Sequence, residues 1–271
     1  MIIGVDIGGT KTYLACFSES GKLLREVKFD TNHDYDTFLT DLEQYARKLE
    51  TKKAKIACAA VPGLLDRENG IVKSLGNLPW KDRYIQHDIA ATLGIEHTYI
   101  ENDSKLAGLA EARHISDEFQ RVFYLTISTG IGGALVVNGQ LLPELLLMEI
   151  GKSPLMHRGK IEQWEEFASG RAFVKKYGKK AVDVSDQKVW EEFAQVINQG
   201  VGIICSTFQV EAIVFGGGLG QHLEKFKQYI TPYLQEHLHA IVLPPKALLA
   251  CHYKTQSVIY GCYEYAKDHL A

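Results

Sequence analysis

The stretch Gly4-Val5-Asp6-Ile7-Gly8-Gly9-Thr10-Lys11-Thr12, followed by Tyr13-Leu14-Ala15-Cys16-Phe17, constrains the fold more than any other. Ile2, Ile3, Val5 and Ile7 mark a buried strand, the glycines a tight turn, and the apolar residues after Thr12 a second strand. Paired glycines allow φ > 0, so successive backbone N–H groups can form a concave anion nest with Thr10 and Lys11 beside it. The scheme recurs at Tyr124-Leu125-Thr126-Ile127-Ser128-Thr129-Gly130-Ile131-Gly132-Gly133-Ala134-Leu135-Val136-Val137. One such turn is an ordinary hairpin. Two in one chain predict two lobes that grip one polyphosphate from opposite sides. Asp6 adds a carboxylate to an apolar strand, where it needs a partner that a hydrated magnesium ion can supply.

The chain has 271 residues, 46% of them hydrophobic and 23% charged, with a net charge of −3. That length and composition suit a globular protein of one large domain or two ordinary ones. Bulk charge gives no reason to expect nucleic acid as a partner. No apolar run approaches the roughly 18–20 residues of a membrane span, and no signal-peptide pattern opens the chain, so the expectation is a cytoplasmic protein. Cys16, Cys58, Cys205, Cys251 and Cys262 are scattered without a CxxC pair. They read as reduced core residues rather than a disulfide framework or a zinc site.

Periodicity predicts a third strand over residues 22–29 and an amphipathic helix over 34–50 with Phe38, Leu39, Leu42, Tyr45, Ala46 and Leu49 on one face. Strands over 55–61 and 96–100 follow, then a helix over 104–115. The scheme restarts at Val122 and continues with helices over 162–177 and 188–208. The short strand Ala212-Ile213-Val214-Phe215 runs into Gly216-Gly217-Gly218, and a last helix covers 256–270. Mixed α/β architecture follows.

Five blocks, in this order, resemble the actin-like ATPase superfamily and, within it, the ROK family of sugar kinases and repressors. They are Asp6-Ile7-Gly8-Gly9-Thr10-Lys11; Val61-Pro62-Gly63 with Asn77-Leu78-Pro79-Trp80; Glu101-Asn102-Asp103; Thr129-Gly130-Ile131-Gly132-Gly133; and Glu149-Ile150-Gly151 with Glu165, Ala168-Ser169-Gly170 and Gly216-Gly217-Gly218. The resemblance implies two ribonuclease-H-like α/β lobes with mixed sheets flanking a central cleft. The N-terminal lobe would span 1–115 with the C-terminal helix 255–271, and the other 116–254. Repressor members carry a helix-turn-helix ahead of the first hairpin, and only five residues precede Asp6 here, so the expectation is a kinase, commonly a homodimer.

The same resemblance implies ATP-dependent phosphorylation of a hexose hydroxyl, with glucose at its 6-hydroxyl the leading case and Asp103 as general base. Read alone, Asn102-Asp103-Ser104 before an apolar helix is an Asp N-cap. Gly63, Asn77, Asn102, Glu149 and Glu165 would contact the sugar. Gly8, Gly9, Thr10, Lys11, Thr129, Gly130, Gly132 and Gly133 would face the phosphates, Gly216-Gly217-Gly218 the adenosine, and Asp6 would hold Mg2+ through water. Polyphosphate as donor stays open. Many relatives carry a His where this chain has Lys152, followed by a cysteine-rich zinc loop that is missing here, so no zinc is expected. Lys152 either shifts the sugar preference toward a substituted or acidic sugar, or pairs with Glu149 or Glu165. A sugar-binding regulatory protein of the same fold, or a kinase for another hexose or amino sugar, is the alternative.

Overall fold

A computed structural model describes residues 1–270 of the chain, which divides into two compact units, Met1–Ala110 with Gln256–Ala271 and Glu111–Thr255. In the first unit, β1 (Ile2–Ile7), β2 (Lys11–Phe17) and β3 (Leu23–Asp30) form an antiparallel meander. After α1 (Tyr35–Leu49), the chain adds β4 (Ile56–Ala60), then a small separate sheet of β5 (Leu64–Asp66), β6 (Ile71–Ser74) and β7 (Lys81–Arg83). α2 (Ile85–Leu93), β8 (Thr98–Glu101) and α3 (Asp103–His114) follow. β4 pairs parallel with β1, and β8 parallel with β4, giving the order β3-β2-β1-β4-β8.

The second unit repeats this plan. β9 (Arg121–Ile127), β10 (Ile131–Val137) and β11 (Gln140–Leu141) are antiparallel, and β12 (Pro154–His157) with β13 (Lys160–Gln163) forms a separate hairpin. α4 (Trp164–Ala168), α5 (Gly170–Tyr177) and α6 (Gln187–Phe208) precede β14 (Ala212–Gly216). The short helices α7 (Gly217–Gly220), α8 (Leu223–Phe226) and α9 (Ile230–His237) lead to β15 (Ala247–Ala250), and α10 (Ser257–Asp268) closes the chain in the first unit. The sheet order is β11-β10-β9-β14-β15, with β14 parallel to both its neighbours. Two sheets with the same meander-then-parallel order are the ribonuclease-H-like α/β arrangement expected of both halves.

Local chemistry explains the elements. Asp34 caps α1 by accepting from the Thr37 N–H at 2.9 Å, and Glu50 ends it in the left-handed region at φ 55°. Of the predicted face, Phe38, Leu42, Ala46 and Leu49 are buried, while Leu39 and Tyr45 are half-buried at its edges against the same core. β1 is buried on both sides, with Ile3, Val5 and Ile7 packed in the cluster that holds α1 and α2, and Ile2 in the cluster that holds α10. In the second unit α6 buries Trp190, Phe193, Ile197, Val201 and Ile204 in the core. Among the described residues no helix is long and apolar enough to cross a membrane.

Three departures from the periodicity have physical causes. The single helix expected over 162–177 is two helices, because Ser169 leaves helical geometry at ψ 170° and its side chain caps α5 at the Ala172 N–H. The sheet β5-β6-β7 and the hairpin β12-β13 were not expected, since three- and four-residue strands with polar, exposed positions carry no period. The helix after Asn102 begins at Asp103, one residue earlier than the apolar pattern suggested.

Gly200 in α6 lies against Trp164, which is fully buried in α4, so closely that a Cβ at position 200 would overlap the indole ring. Gly200→Ala therefore overpacks this helix contact and should destabilise the protein by about 1–3 kcal/mol, read as a lower midpoint in equilibrium urea unfolding.

Candidate active site

In the first unit, the C-terminal ends of three adjacent parallel strands deliver polar groups. Asp6 in β1 is in register with Ala60 in β4, and Ala60 with Glu101 in β8. Such strand ends are where open α/β sheets place ligands. Glu101 is fully buried and answered twice: the Arg67 guanidinium donates to both its oxygens, Nε to Oε2 at 2.7 Å, and the Asn102 N–H donates to Oε1 at 2.6 Å. This pair holds the turn from β8 into α3. Sequence reasoning assigned neither Arg67 nor Glu101 a role, since 34 residues separate them and no spacing links them.

Asn102, not Asp103, is the N-cap of α3. Its backbone carbonyl accepts from the Leu106 N–H at 3.0 Å, and its side-chain oxygen accepts from the Ser104 N–H at 3.0 Å and the Ser104 hydroxyl at 2.6 Å. With that oxygen engaged by Ser104, the amide NH2 is the donor end of the Asn102 side chain. Asp103 occupies the first helical position, with Oδ1 accepting from the Ser104 N–H at 2.8 Å. The positive end of the helix dipole favours a carboxylate there. Burial dominates nonetheless and pushes the Asp103 pKa above its ordinary value, against the Ser104 N–H and the Lys105 charge, which pull it down. Asp6 is pushed up to about 7, first by burial and then by the Asp103 charge, while Lys28 opposes. The two carboxylates are thus electrostatic neighbours.

The first glycine turn is tight for a reason other than the one expected. Neither Gly8 nor Gly9 has positive φ. What they provide is close approach: a Cβ on Gly8 would sit 2.8 Å from the Lys11 carbonyl oxygen, and one on Gly9 would sit 2.7 Å from Asn77 Cβ. Gly9 and Asn77 are thereby brought together. Gly63, at φ 123°, packs on the Ser74–Leu75 backbone just before Asn77. Thr10 is exposed, and Lys11 pairs with Asp30 at 2.6 Å on the open surface.

In the second unit, the Ser128–Ile131 turn is clamped by backbone on several sides. The Gly170 N–H donates to the Ser128 carbonyl at 2.7 Å, and a Cβ on Gly170 would sit 2.5 Å from that oxygen. Gly217, at φ 76°, would bring a Cβ 2.5 Å from the Ile127 carbonyl oxygen. Gly216 is pressed against Tyr124, and Gly133 against Phe123, so both serve packing. Gly132 is partly exposed in β10. Thr129 and Gly218 line one cavity of about 780 Å³ with Arg171, Lys180 and His222, and with Phe173, Val182 and Leu219 as apolar wall. No sequence signal marks the α5 and residue 180–182 contributions, which reach the turn only through the fold.

Lys152 takes the second of its two expected roles: its Nζ lies 2.5 Å from Glu165 Oε1. Glu165 is buried, and its Oε2 accepts from the Ile131 N–H at 3.2 Å. Glu149 is exposed and precedes the 3₁₀ turn Ile150–Lys152, where its carbonyl accepts from the Lys152 N–H at 2.9 Å.

Among the described residues no group of three or more His, Cys, Asp or Glu side chains is placed to cage a metal. Mg2+ needs no such cage: one or two carboxylates, water and substrate phosphates suffice. Asp6, partly exposed yet desolvated and crowded by the Asp103 charge, is a donor whose charged form a divalent cation would relieve.

The ROK family model matches residues 2–269. Among characterised proteins, the glucokinase of Thermotoga maritima is 34% identical over 146 residues, covering 52% of this chain and 46% of that protein. The N-acetyl-D-glucosamine kinase of Histophilus somni is 28% identical, over 88% of this chain and 90% of its own length. Among solved structures, a ROK family glucokinase from Streptomyces griseus in complex with glucose and AMPPNP superposes with a TM-score of 0.78 at 20% identity, covering 98% of this chain and 99% of the other.

The raised Asp6 pKa has a signed consequence. The folded state keeps a proton on Asp6 up to about pH 7, whereas an unfolded Asp releases it near pH 4. The stability that this proton contributes is full below the unfolded value and lost as pH rises through about 7. The metal-free protein should therefore lose stability relative to Asp6→Asn between about pH 4 and 7 and run parallel to it above, as thermal melts across that range will show.

Proposed function

Because the chain belongs to the ROK family, we propose that it is an ATP-dependent sugar kinase, with Asp103 orienting the acceptor hydroxyl and taking its proton. The observation that carries this reading is the division of labour at the start of α3. Asn102 does the capping, Arg67 and Glu101 fix the turn, and Asp103 is left at the helix N-terminus with its basicity raised by burial. A base poised above the ordinary carboxylate range accepts a hydroxyl proton more readily.

The remaining residues divide by unit. Gly63, Asn77 and Asn102 supply amide and backbone groups suited to sugar hydroxyls, and Glu149 and Glu165 supply acceptors. The turn Gly8-Gly9-Thr10, with Lys11, and the turn Thr129-Gly130, with Gly132 and Gly133 behind it, offer backbone N–H groups to phosphates. The cavity beside Thr129 and Gly218 supports a nucleotide over polyphosphate as donor. Its Phe173, Val182 and Leu219 wall suits a flat base, and Arg171 and Lys180 suit the charged portion. Mg2+, held at Asp6 through water, would supply charge neutralisation on the phosphates.

Glucose and N-acetyl-D-glucosamine are the sugars to test first, because relatives named for them are similar to this chain, the first over 52% of it and the second over 88%. A coupled assay of ADP release across a panel of hexoses and acylamino sugars is expected to show stimulation by at least one. Asp103→Asn should lower kcat on that sugar by about 10²–10⁴-fold while leaving the fold intact by circular dichroism. Silence across the whole panel overturns the kinase reading in favour of a sugar-binding regulator.

A further inference from the structure

Ile131, the first residue of β10 after the Thr129-Gly130 turn, has both sides of its peptide held. Its N–H donates to Glu165 Oε2 at 3.2 Å. Its carbonyl oxygen lies so close to Gly151 that a Cβ there would overlap it. Glu165 Oε1 in turn receives the Lys152 ammonium at 2.5 Å. Since Gly151 and Lys152 are consecutive in one 3₁₀ turn, these contacts close a ring from Ile131 through Glu165, Lys152 and Gly151 back to Ile131.

Two members of this ring are rigid. α4, which carries Glu165, is anchored by Trp164: the indole is fully buried, donates to the Val196 carbonyl at 3.1 Å and abuts Gly200. The Gly151 backbone is fixed by its contact with β10. The adjustable member is Lys152, whose side chain is 53% exposed against 11% for that of Glu165. A carboxylate so far out of water needs a counter-charge. Without Lys152, of the two contacts just described, Glu165 keeps only the Ile131 N–H. Any shift of Glu165 is felt by the turn, since its Oε2 lies 2.6 Å from where a Gly130 Cβ would be.

We infer that Lys152 is a positioning residue for the Thr129-Gly130 turn: by fixing Glu165, and through it Gly130 and Ile131, it sets the affinity for the phosphate donor in addition to holding Glu165 for the sugar. This rests on the kinase reading for the identity of the ligand, but not for the ring itself. The geometry also explains why lysine serves here. A single ammonium on a flexible stem reaches Glu165 from the surface.

The test compares Lys152→Met and Lys152→Arg with the unaltered protein in two independent readouts. The first is amide hydrogen exchange at Ile131, which needs no turnover. It should be faster in Lys152→Met and restored in Lys152→Arg. The second is steady-state kinetics with Mg·ATP and the sugar found active. Lys152→Met should raise the KM for ATP about tenfold, the equivalent of one charge-assisted hydrogen bond, and Lys152→Arg should recover most of it. A raised sugar KM with an unaltered ATP KM, or unchanged Ile131 exchange in Lys152→Met, overturns the inference while leaving the kinase reading in place. If no sugar is phosphorylated by the unaltered protein, the kinase reading falls, and the Ile131 exchange alone decides: faster exchange in Lys152→Met upholds the brace, and unchanged exchange ends it.

Discussion

Taking a carboxylate out of water is the constraint around which both candidate sites are built. A buried carboxylate costs several kcal/mol unless a cation or N–H donors answer it. Glu101 is answered by Arg67 and the Asn102 N–H, and Glu165 by Lys152 and the Ile131 N–H. Glu111, also buried, accepts from the His252 and Tyr253 N–H groups at 2.7 and 3.0 Å. Each of these acids is answered by donors in the fold, and each braces a turn. Asp6 and Asp103 stand apart: desolvation raises the pKa of both, and the Asp103 charge adds to the rise at Asp6.

The glycine turns follow a related logic. Their backbone donors are useful only if nothing fills the space beside them, and the fold keeps that space by close contact rather than by unusual torsions. Gly9 against Asn77, Gly130 above Glu165 and Gly170 on Ser128 are all places where one methyl group would displace a neighbour. Each turn is therefore as rigid as the packing behind it, and residues such as Trp164 and Gly200, which lie outside the turn, belong to the support of the second turn.

Much of the fold was legible in the residues because its strands are apolar and its main helices amphipathic. β1, β4, β9 and β14 are buried on both faces and read as apolar runs. α1 shows its buried stripe in Phe38, Leu42, Ala46 and Leu49. The small strands Leu64–Asp66 and Lys81–Arg83 were invisible because their pairing, not their side chains, makes them strands. The break between α4 and α5 was missed because Ser169 and Gly170 are compatible with a continuing helix. What interrupts it is the Ser128 carbonyl, brought there by the chain's return.

Residue order alone determined where the polar punctuation falls: which strands end in Asp6, Asn102-Asp103 or Thr129-Gly130, and that each half repeats one plan. It did so because burial and turn geometry act on neighbours along the chain. Tertiary structure alone decided what each polar group does. The cap went to Asn102 and left Asp103 open, Lys152 went to Glu165, and Arg67 reached Glu101 across 34 positions. Those outcomes depend on which charges meet after the sheets assemble. Coulombic and desolvation energies are set by distance in space and access to water, and neither is encoded in spacing along the chain.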